Sequence, residues 1–312
     1  MVTPERAIDV INGAFGSHPG SRALHAKGRF FKGTFTASPA AATLTRAAHM
    51  QGDPVPVYVR WSDGSGHPGG RDDKPDVRGM AVSFRISDGS ATDILAQTAP
   101  RFPVRTPEEF LDLVHASAPG PQQAWRLPRF IATHPRAAGA LLANLKAGAL
   151  KPPRSFALAT FFAIHAYKWL DADGGSRWVR YTLAPQAPRS TTPPGKGADF
   201  LQAEIAERLA AGPVRFTLQV QVAGPRDDPH DPSSVWASQQ RVDVGTVEVV
   251  EPDRDREVGS DIVVFDPTRV IDGIELSDDP VLLFRPGVYG ISVDRRTKRA
   301  TPGGRATSTG CD

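Results

Sequence analysis

The amino-acid sequence predicts an α+β protein built on an antiparallel β-barrel of about eight strands, with helices packed outside it. Three observations carry that reading. Short stretches rich in β-branched and aromatic residues recur through the chain, bounded by clusters of Gly, Asp and Pro. Helical stretches with recognisable start signals stand between groups of these strands. The 312 residues show no internal repeat, and they suffice for one large domain that can enclose a sizeable ligand.

The elements follow in order. Residues 1–17 read as a short amphipathic helix, with Ala7, Ile8, Ile11 and Phe15 at helical spacing. Residues 24–36 favour strand, interrupted by glycines that mark a bulge or a close backbone approach. Residues 55–61, 79–86 and 92–95 are further strands, and the turns among them, notably 62–75, are rich in Gly, Asp and Pro. Thr106-Pro107-Glu108-Glu109 starts a helix, with Thr106 as cap, Pro107 in the first position and acids in the first turn. Residues 135–150 are Ala- and Leu-rich and helical. Strand character returns at 156–170, 177–183, 214–223 and 242–250, with a turn at 171–175 joining the first two. A surface helix is expected at 198–211 and a last helix from 279 to about 298. Residues 185–196 form a Pro/Thr/Ser-rich loop. Residues 1–300 are expected to make a single domain, and the small, polar tail 301–312 to be disordered.

Bulk properties exclude several function classes. The 37 Lys and Arg stand against 34 Asp and Glu, a net charge of only +3, which is too small to argue for a nucleic-acid partner. The single cysteine, Cys311, permits no intrachain disulfide and no metal site built on thiolates. No stretch has the roughly 18 apolar residues of a membrane span, and the first twenty residues lack a signal-peptide core. A cytoplasmic protein without a membrane partner is the expectation. The acidic stretch 72–76 reads as a solvated turn rather than a metal site. Gly64-Ser65-Gly66 is a turn lacking the helix and Lys of a phosphate loop.

The residues that can carry chemistry are few. His25, near a strand start, is by itself an ordinary histidine. Arg285 and Tyr289 stand four apart, so on a helix they share a face, and Arg296 lies two turns further along it. Together these are more informative. A tyrosine phenolate is a rare haem ligand. A free phenol ionises near pH 10, so a neighbouring guanidinium is needed to hold one as phenolate at neutral pH.

Six motifs then follow one another along the chain: RALHAKGRFFKGTF (22–35), VYVRWS (57–62), DVRGMAVSF (76–84), FDPTRV (265–270), Arg285-x-x-x-Tyr289, and Arg296 beyond it. In this order they resemble the catalase superfamily, and the short chain resembles the minimal catalase-related haem peroxidases of bacteria. The resemblance runs from about residue 22 to residue 296. It implies the catalase-like barrel, haem b (iron protoporphyrin IX) as cofactor, and a role for each matching residue. His25 would be the distal acid–base, with Ser62 as its hydrogen-bonding partner. Tyr289 would bind the metal, supported by Arg285. Arg22, Arg60 and Arg296 would pair with the haem propionates. Phe110 would stack over the haem near its channel, and His165 would be a structural histidine of the barrel.

The chain also departs from that pattern. The family's second distal group is an asparagine in a Gly-Asn-Asn-Thr-Pro segment, whereas residues 96–100 here read AQTAP. Gln97 keeps the amide but moves it out by about 1.5 Å, one carbon bond. Set beside ordinary catalases, the chain is expected to lack the long N-terminal arm, the extended wrapping segment and most of the helical C-terminal region, which implies a pocket more open to bulky reductants. The resemblance therefore implies a peroxidase that reduces hydrogen peroxide or organic hydroperoxides with an organic electron donor in response to oxidative stress, with weak catalase activity beside it. A true catalase, a fatty-acid hydroperoxide dehydratase or lyase, and a non-enzymatic haem-binding protein stand as alternatives. The expected partners are a small-molecule peroxide and reductant, with the chain a monomer or a small homo-oligomer.

Overall fold

A computed structural model describes residues 2–188, 193–254 and 263–298. Its strands are β1 (Gly28–Ala37), β2 (Val55–Asp63), β3 (Arg78–Arg85), β4 (Ala91–Gln97), β5 (Phe161–Phe162), β6 (Tyr167–Leu170), β7 (Ser176–Pro185), β8 (Val214–Val222), β9 (Arg241–Pro252) and β10 (Ile274–Leu276). Eight of them form a ring in the order β7-β5-β4-β3-β2-β1-β9-β8, closed by pairing of β7 with β8. β6 and β10 extend the sheet beside the first half of β7. Every pairing is antiparallel, and closure leaves the ring without the open edge that would otherwise template aggregation.

Side-chain alternation sorts the ring into an inside and an outside. Phe31, Val59, Val82 and Ile94 are register partners across β1 to β4, and all are buried in the barrel core with Trp61, Phe84, Phe161 and Leu218. The neighbouring rows point the other way. One runs Phe30, Arg60, Ala81, Leu95; the next runs Gly28, Ser62, Gly79, Gln97, Phe162. This outer face of β1 to β5 is the wall on which the site is built.

Helices cover that face. α1 (Pro4–Phe15), capped by Thr3, presents Ile8 and Ile11 to Val114 and Phe110 of α3 (Pro107–Ser117). Thr106 caps α3 by accepting from the Glu109 amide at 3.2 Å, as the sequence signals. α2 (Pro39–Ala42) is a single turn. α4 (Gln123–Thr133) and α5 (Pro135–Lys146) form a tight hairpin whose buried Phe130 and Ala137 pack on Phe102, Val104 and Val281. α6 (Phe200–Ala211) lies against β9, and α7 (Pro280–Lys298) is the long last helix. Asp279 caps α7, its Oδ1 accepting from the amides of Val281 at 2.8 Å and Leu282 at 3.2 Å.

The structure differs from the sequence reading in a few places. α4 contains Pro128, whose missing amide masks the helical pattern. The expected strand 156–170 is broken into a 3-10 turn (Phe156–Leu158), β5 and β6, and His165 sits in the break. β10 is only three residues long and offers no periodicity to read. The expected strand at 24–36 begins at Gly28, because His25 adopts a left-handed conformation instead. The tail 301–312 and part of the loop 185–196 lie outside the described residues. Among those described, no helix is long and apolar enough to cross a membrane.

Candidate active site

Between the outer barrel wall and helices α1, α3 and α7 lies a cavity of about 240 Å³. All nine residues singled out from the sequence line it: His25, Ser62, Gln97, Arg22, Arg60, Phe110, Arg285, Tyr289 and Arg296. The barrel strands contribute Ser62, Arg60 and Gln97, His25 stands just before β1, and α7 contributes Arg285, Tyr289 and Arg296. On the cavity face of β3 the register places Gly79 and Ala81, so that strand presents little side chain to the cavity.

His25 is the only non-glycine residue with positive φ (+53°) among the described residues. Such a conformation costs of order 1–3 kcal/mol and persists only where its surroundings enforce it. The enforcement starts from Asp76, whose Oδ2 accepts the amides of Gly64 and Ser65, each at 2.9 Å. Held in this way, the Gly64 and Ser65 carbonyls accept the amides of His25 at 3.1 Å and Ala26 at 3.0 Å. Arg60 Nη2 donates to the His25 carbonyl at 2.9 Å. The ring is fixed in turn by a 3.0 Å hydrogen bond between Nδ1 and Ser62 Oγ. It rests over Gly79, where a Cβ would meet His25 Cε1, His25 Nδ1 and Ser62 Oγ at 2.8 Å each. Burial, followed by the guanidiniums of Arg60, Arg285 and Arg22, lowers the His25 pKa to about 3. The imidazole is therefore neutral at ordinary pH and able to take a proton.

On the α7 side, Arg285 Nε donates to Tyr289 Oη at 2.8 Å, realising the one-turn spacing read from the sequence. Arg285 Nη1 donates to His165 Nε2 at 2.8 Å, and His165 Nδ1 lies 2.6 Å from Asp279 Oδ2. A guanidinium has no acceptor, so His165 Nε2 must offer its lone pair and Nδ1 must carry the proton toward Asp279. Burial is the main cause of a His165 pKa lowered to about 4, consistent with that neutral tautomer. Asp279 thus both caps α7 and orients a chain, Asp279–His165–Arg285–Tyr289, that ends on the phenol oxygen. His165, read from the sequence as a structural histidine of the barrel, is the middle member of this chain.

A third group lies toward one end of the cavity. Arg22 has its pKa lowered to about 10, first by burial and then by the nearby Arg296, itself lowered by burial. Neither forms an ion pair with a carboxylate among the described residues; Arg22 Nη2 donates instead to the Val263 carbonyl at 2.7 Å. The Arg22 and Arg60 guanidiniums approach the Phe30 ring at 5.8 and 5.7 Å, and Phe265 stacks on Phe30 at 6.0 Å. Two mutually repelling, desolvated guanidiniums facing a cavity are costly unless an anion joins them. Elsewhere the lining is apolar, through Ile8, Phe102, Phe110, Val281, Phe284 and Val288. Phe102 and Phe110 stack at 6.0 Å and 24°. A strand with little side chain, apolar walls, a guanidinium-supported phenol and paired cations at one end match a planar apolar macrocycle that carries carboxylates and accepts a phenolate ligand. The residues present fit haem.

Gln97 shares its row with Ser62 and Gly79, so its amide reaches the cavity from the same wall as His25. Its Nε2 is 3.5 Å from the Ala99 carbonyl, a long and weak contact. Gly79, Asp76, Phe30, Phe265 and Asp279 were not singled out from the sequence. The first four lie inside or beside the quoted motifs, and Asp279 was signalled only as the start of the last helix. The acidic stretch is also not a solvated turn throughout. Asp72 is fully buried, where it pairs with Lys27 and accepts the Leu201 amide at 2.8 Å. No group of three or more metal-ligating His, Cys, Asp or Glu occurs among the described residues.

Comparison with known proteins gives a consistent result. A catalase-related peroxidase of Mycolicibacterium paratuberculosis is 51% identical over 300 residues, covering 95% of each chain. A catalase-related peroxidase of Synechococcus elongatus is 30% identical, covering 95% of this chain and 89% of its own. Among solved structures, a bacterial catalase superposes with a TM-score of 0.77 at 21% identity; this chain spans 58% of its length. The catalase family model matches residues 18–301, and with the barrel, the ordered motifs and these relatives it establishes that the chain belongs to the catalase family.

Proposed function

We propose that the chain is a haem-dependent peroxidase that reduces hydrogen peroxide or organic hydroperoxides at the expense of an organic electron donor. The observation that carries this reading is a single cavity holding a neutral, hydrogen-bonded His25 on the barrel side and the Asp279–His165–Arg285–Tyr289 chain on the α7 side. The peroxidase named in both full-length relatives supports it. Haem, when bound, supplies the iron at which the peroxide O–O bond is cleaved. Tyr289 would ligate it, with Arg285 donating a hydrogen bond to its phenol oxygen. Arg22, Arg60 and Arg296 would hold the propionates.

With Nδ1 engaged by Ser62, His25 Nε2 is the nitrogen that would take a proton from one peroxide oxygen and return it to the departing one. The fixed backbone and ring of His25 limit the reorganisation that this transfer requires. Gln97 offers an amide to the same space, but on a longer arm than asparagine, which weighs toward the organic donor rather than a second peroxide as reductant. Oxygen release measured against oxidation of an aromatic dye by the haem-loaded protein tests the proposal. Dye oxidation should dominate, His25→Ala should abolish it with haem retained, and Tyr289→Phe should lose haem. Rapid oxygen release without dye oxidation would return the reading to a true catalase.

A further inference from the structure

Charge is segregated along this chain in a way that the whole-chain balance conceals. Residues 113–170 contain no Asp or Glu but seven Lys or Arg. Taking those seven from the net +3 leaves the rest of the chain at −4. Five of the seven, Arg126, Arg129, Arg136, Lys146 and Lys151, lie on the α4–α5 hairpin and the turn after it, and none pairs with a carboxylate among the described residues. Large apolar side chains are exposed on the same segment: Trp125 (56%), Leu142 (52%), Leu145 (64%) and Leu150 (43%). Trp125 and Arg129 stand one turn apart on the solvent face of α4, and Leu142 and Lys146 do so on α5.

The hairpin's own folding does not account for these groups. Its inner face already buries Phe130 and Ala137, with Leu127, Ile131 and Leu141 partly covered, against Phe102, Phe110 and Val281 of the cavity wall. The outer apolar groups are additional to that packing. A second copy of the chain is a poor occupant, because a two-fold contact would set basic face on basic face. The protruding Trp and Leu, with cations between them, suit a fluid interface that needs no complementary pocket and supplies phosphates.

We propose that the α4–α5 hairpin docks peripherally on an anionic phospholipid surface. Trp125, Leu142 and Leu145 enter the headgroup boundary while Arg129, Arg136 and Lys146 meet lipid phosphates. The expectation of no membrane partner rested on the want of a spanning segment, which peripheral docking does not require. The same hairpin backs the apolar part of the cavity, so docking brings that wall beside the bilayer.

The test needs no turnover and so stands apart from the peroxidase reading. The purified protein is floated with phosphatidylcholine vesicles, with and without phosphatidylglycerol, at low and high salt, and its tryptophan emission is recorded. The expected result is binding to the phosphatidylglycerol vesicles alone, weakened by salt, with a blue shift that Trp125→Ser removes. Arg129→Glu/Arg136→Glu should weaken binding roughly twenty-fold or more, at about fivefold per cation lost. Trp125→Ser/Leu145→Ser should also weaken it, whereas Val235→Ser, an exposed apolar change elsewhere, should not. Absence of binding, or binding indifferent to these hairpin variants, overturns the proposal. So does a dimer of the wild type that the same variants dissociate, or equal binding to soluble polyglutamate without an emission shift.

Discussion

Gly79→Ala places a methyl group where the structure leaves no room for one. Its Cβ would stand 2.8 Å from His25 Cε1, His25 Nδ1 and Ser62 Oγ, where ordinary contact begins at 3.4 Å. The imidazole must therefore retreat by about 0.6 Å, and it cannot do so freely. Its main chain is held by the Gly64 carbonyl and Arg60, and its ring by Ser62. A misplacement of 1 Å in a reacting group costs on the order of a hundredfold in rate, so the variant should react with peroxide roughly tenfold to thirtyfold more slowly. Overpacking should also cost about 1–3 kcal/mol of stability. Stopped-flow absorbance of the haem-loaded variant against peroxide, normalised to haem content, gives the rate, and urea unfolding gives the stability. A fully loaded variant with wild-type rate would refute the claim that Gly79 sets the position of His25.

Three further outcomes are expected. His165→Leu leaves Asp279 Oδ2 without its donor and Arg285 Nη1 without its acceptor, which should cost roughly 3 kcal/mol in urea unfolding and loosen haem retention; a loss below about 1 kcal/mol contradicts the chain. His49, buried between Phe35 and Phe84 in the barrel, has its pKa lowered by burial to about 3, whereas an unfolded histidine takes its proton near 6.5. Unfolding therefore takes up this proton as pH falls below 6.5, stability declines from there toward pH 3, and His49→Leu should lose less stability on acidification, with about one proton fewer taken up. Identical pH slopes would count against it. Gln97→Asn shortens the amide arm by one carbon and should raise oxygen release relative to dye oxidation; an unchanged ratio removes Gln97 from the choice of reductant.

Much of this protein is legible in its sequence because the signals are local. Alternation along β2, β3 and β4 depends on a two-residue period, the start of α3 on Thr106 and Pro107, and the Arg285–Tyr289 contact on one helical turn. The four-residue spacing was enough to anticipate a bond that the structure shows at 2.8 Å. Motif resemblance supplied what periodicity cannot, the identity of His25, Ser62, Gln97 and the three arginines as neighbours. Signals failed where local rules conflict with tertiary packing. Pro128 hides α4, and the break that frees His165 hides the end of a strand.

The tertiary structure alone decided the rest, and the reason is register. Ser62, Gly79 and Gln97 lie at most 35 positions apart in sequence, but only barrel pairing puts them in one row facing outward. Asp76 shapes His25 from 51 positions away through the carbonyls of Gly64 and Ser65. Asp279 reaches Tyr289 only through His165, 114 positions before it. The sequence by itself determined which side chains its catalase-like motifs single out, because each motif is a local run of residues. Closing the ring determined that Ser62, Gly79 and Gln97 share one row beside His25, because a strand's neighbours are set by the whole sheet and not by the strand, and the packing of α7 brought Tyr289 to the same cavity.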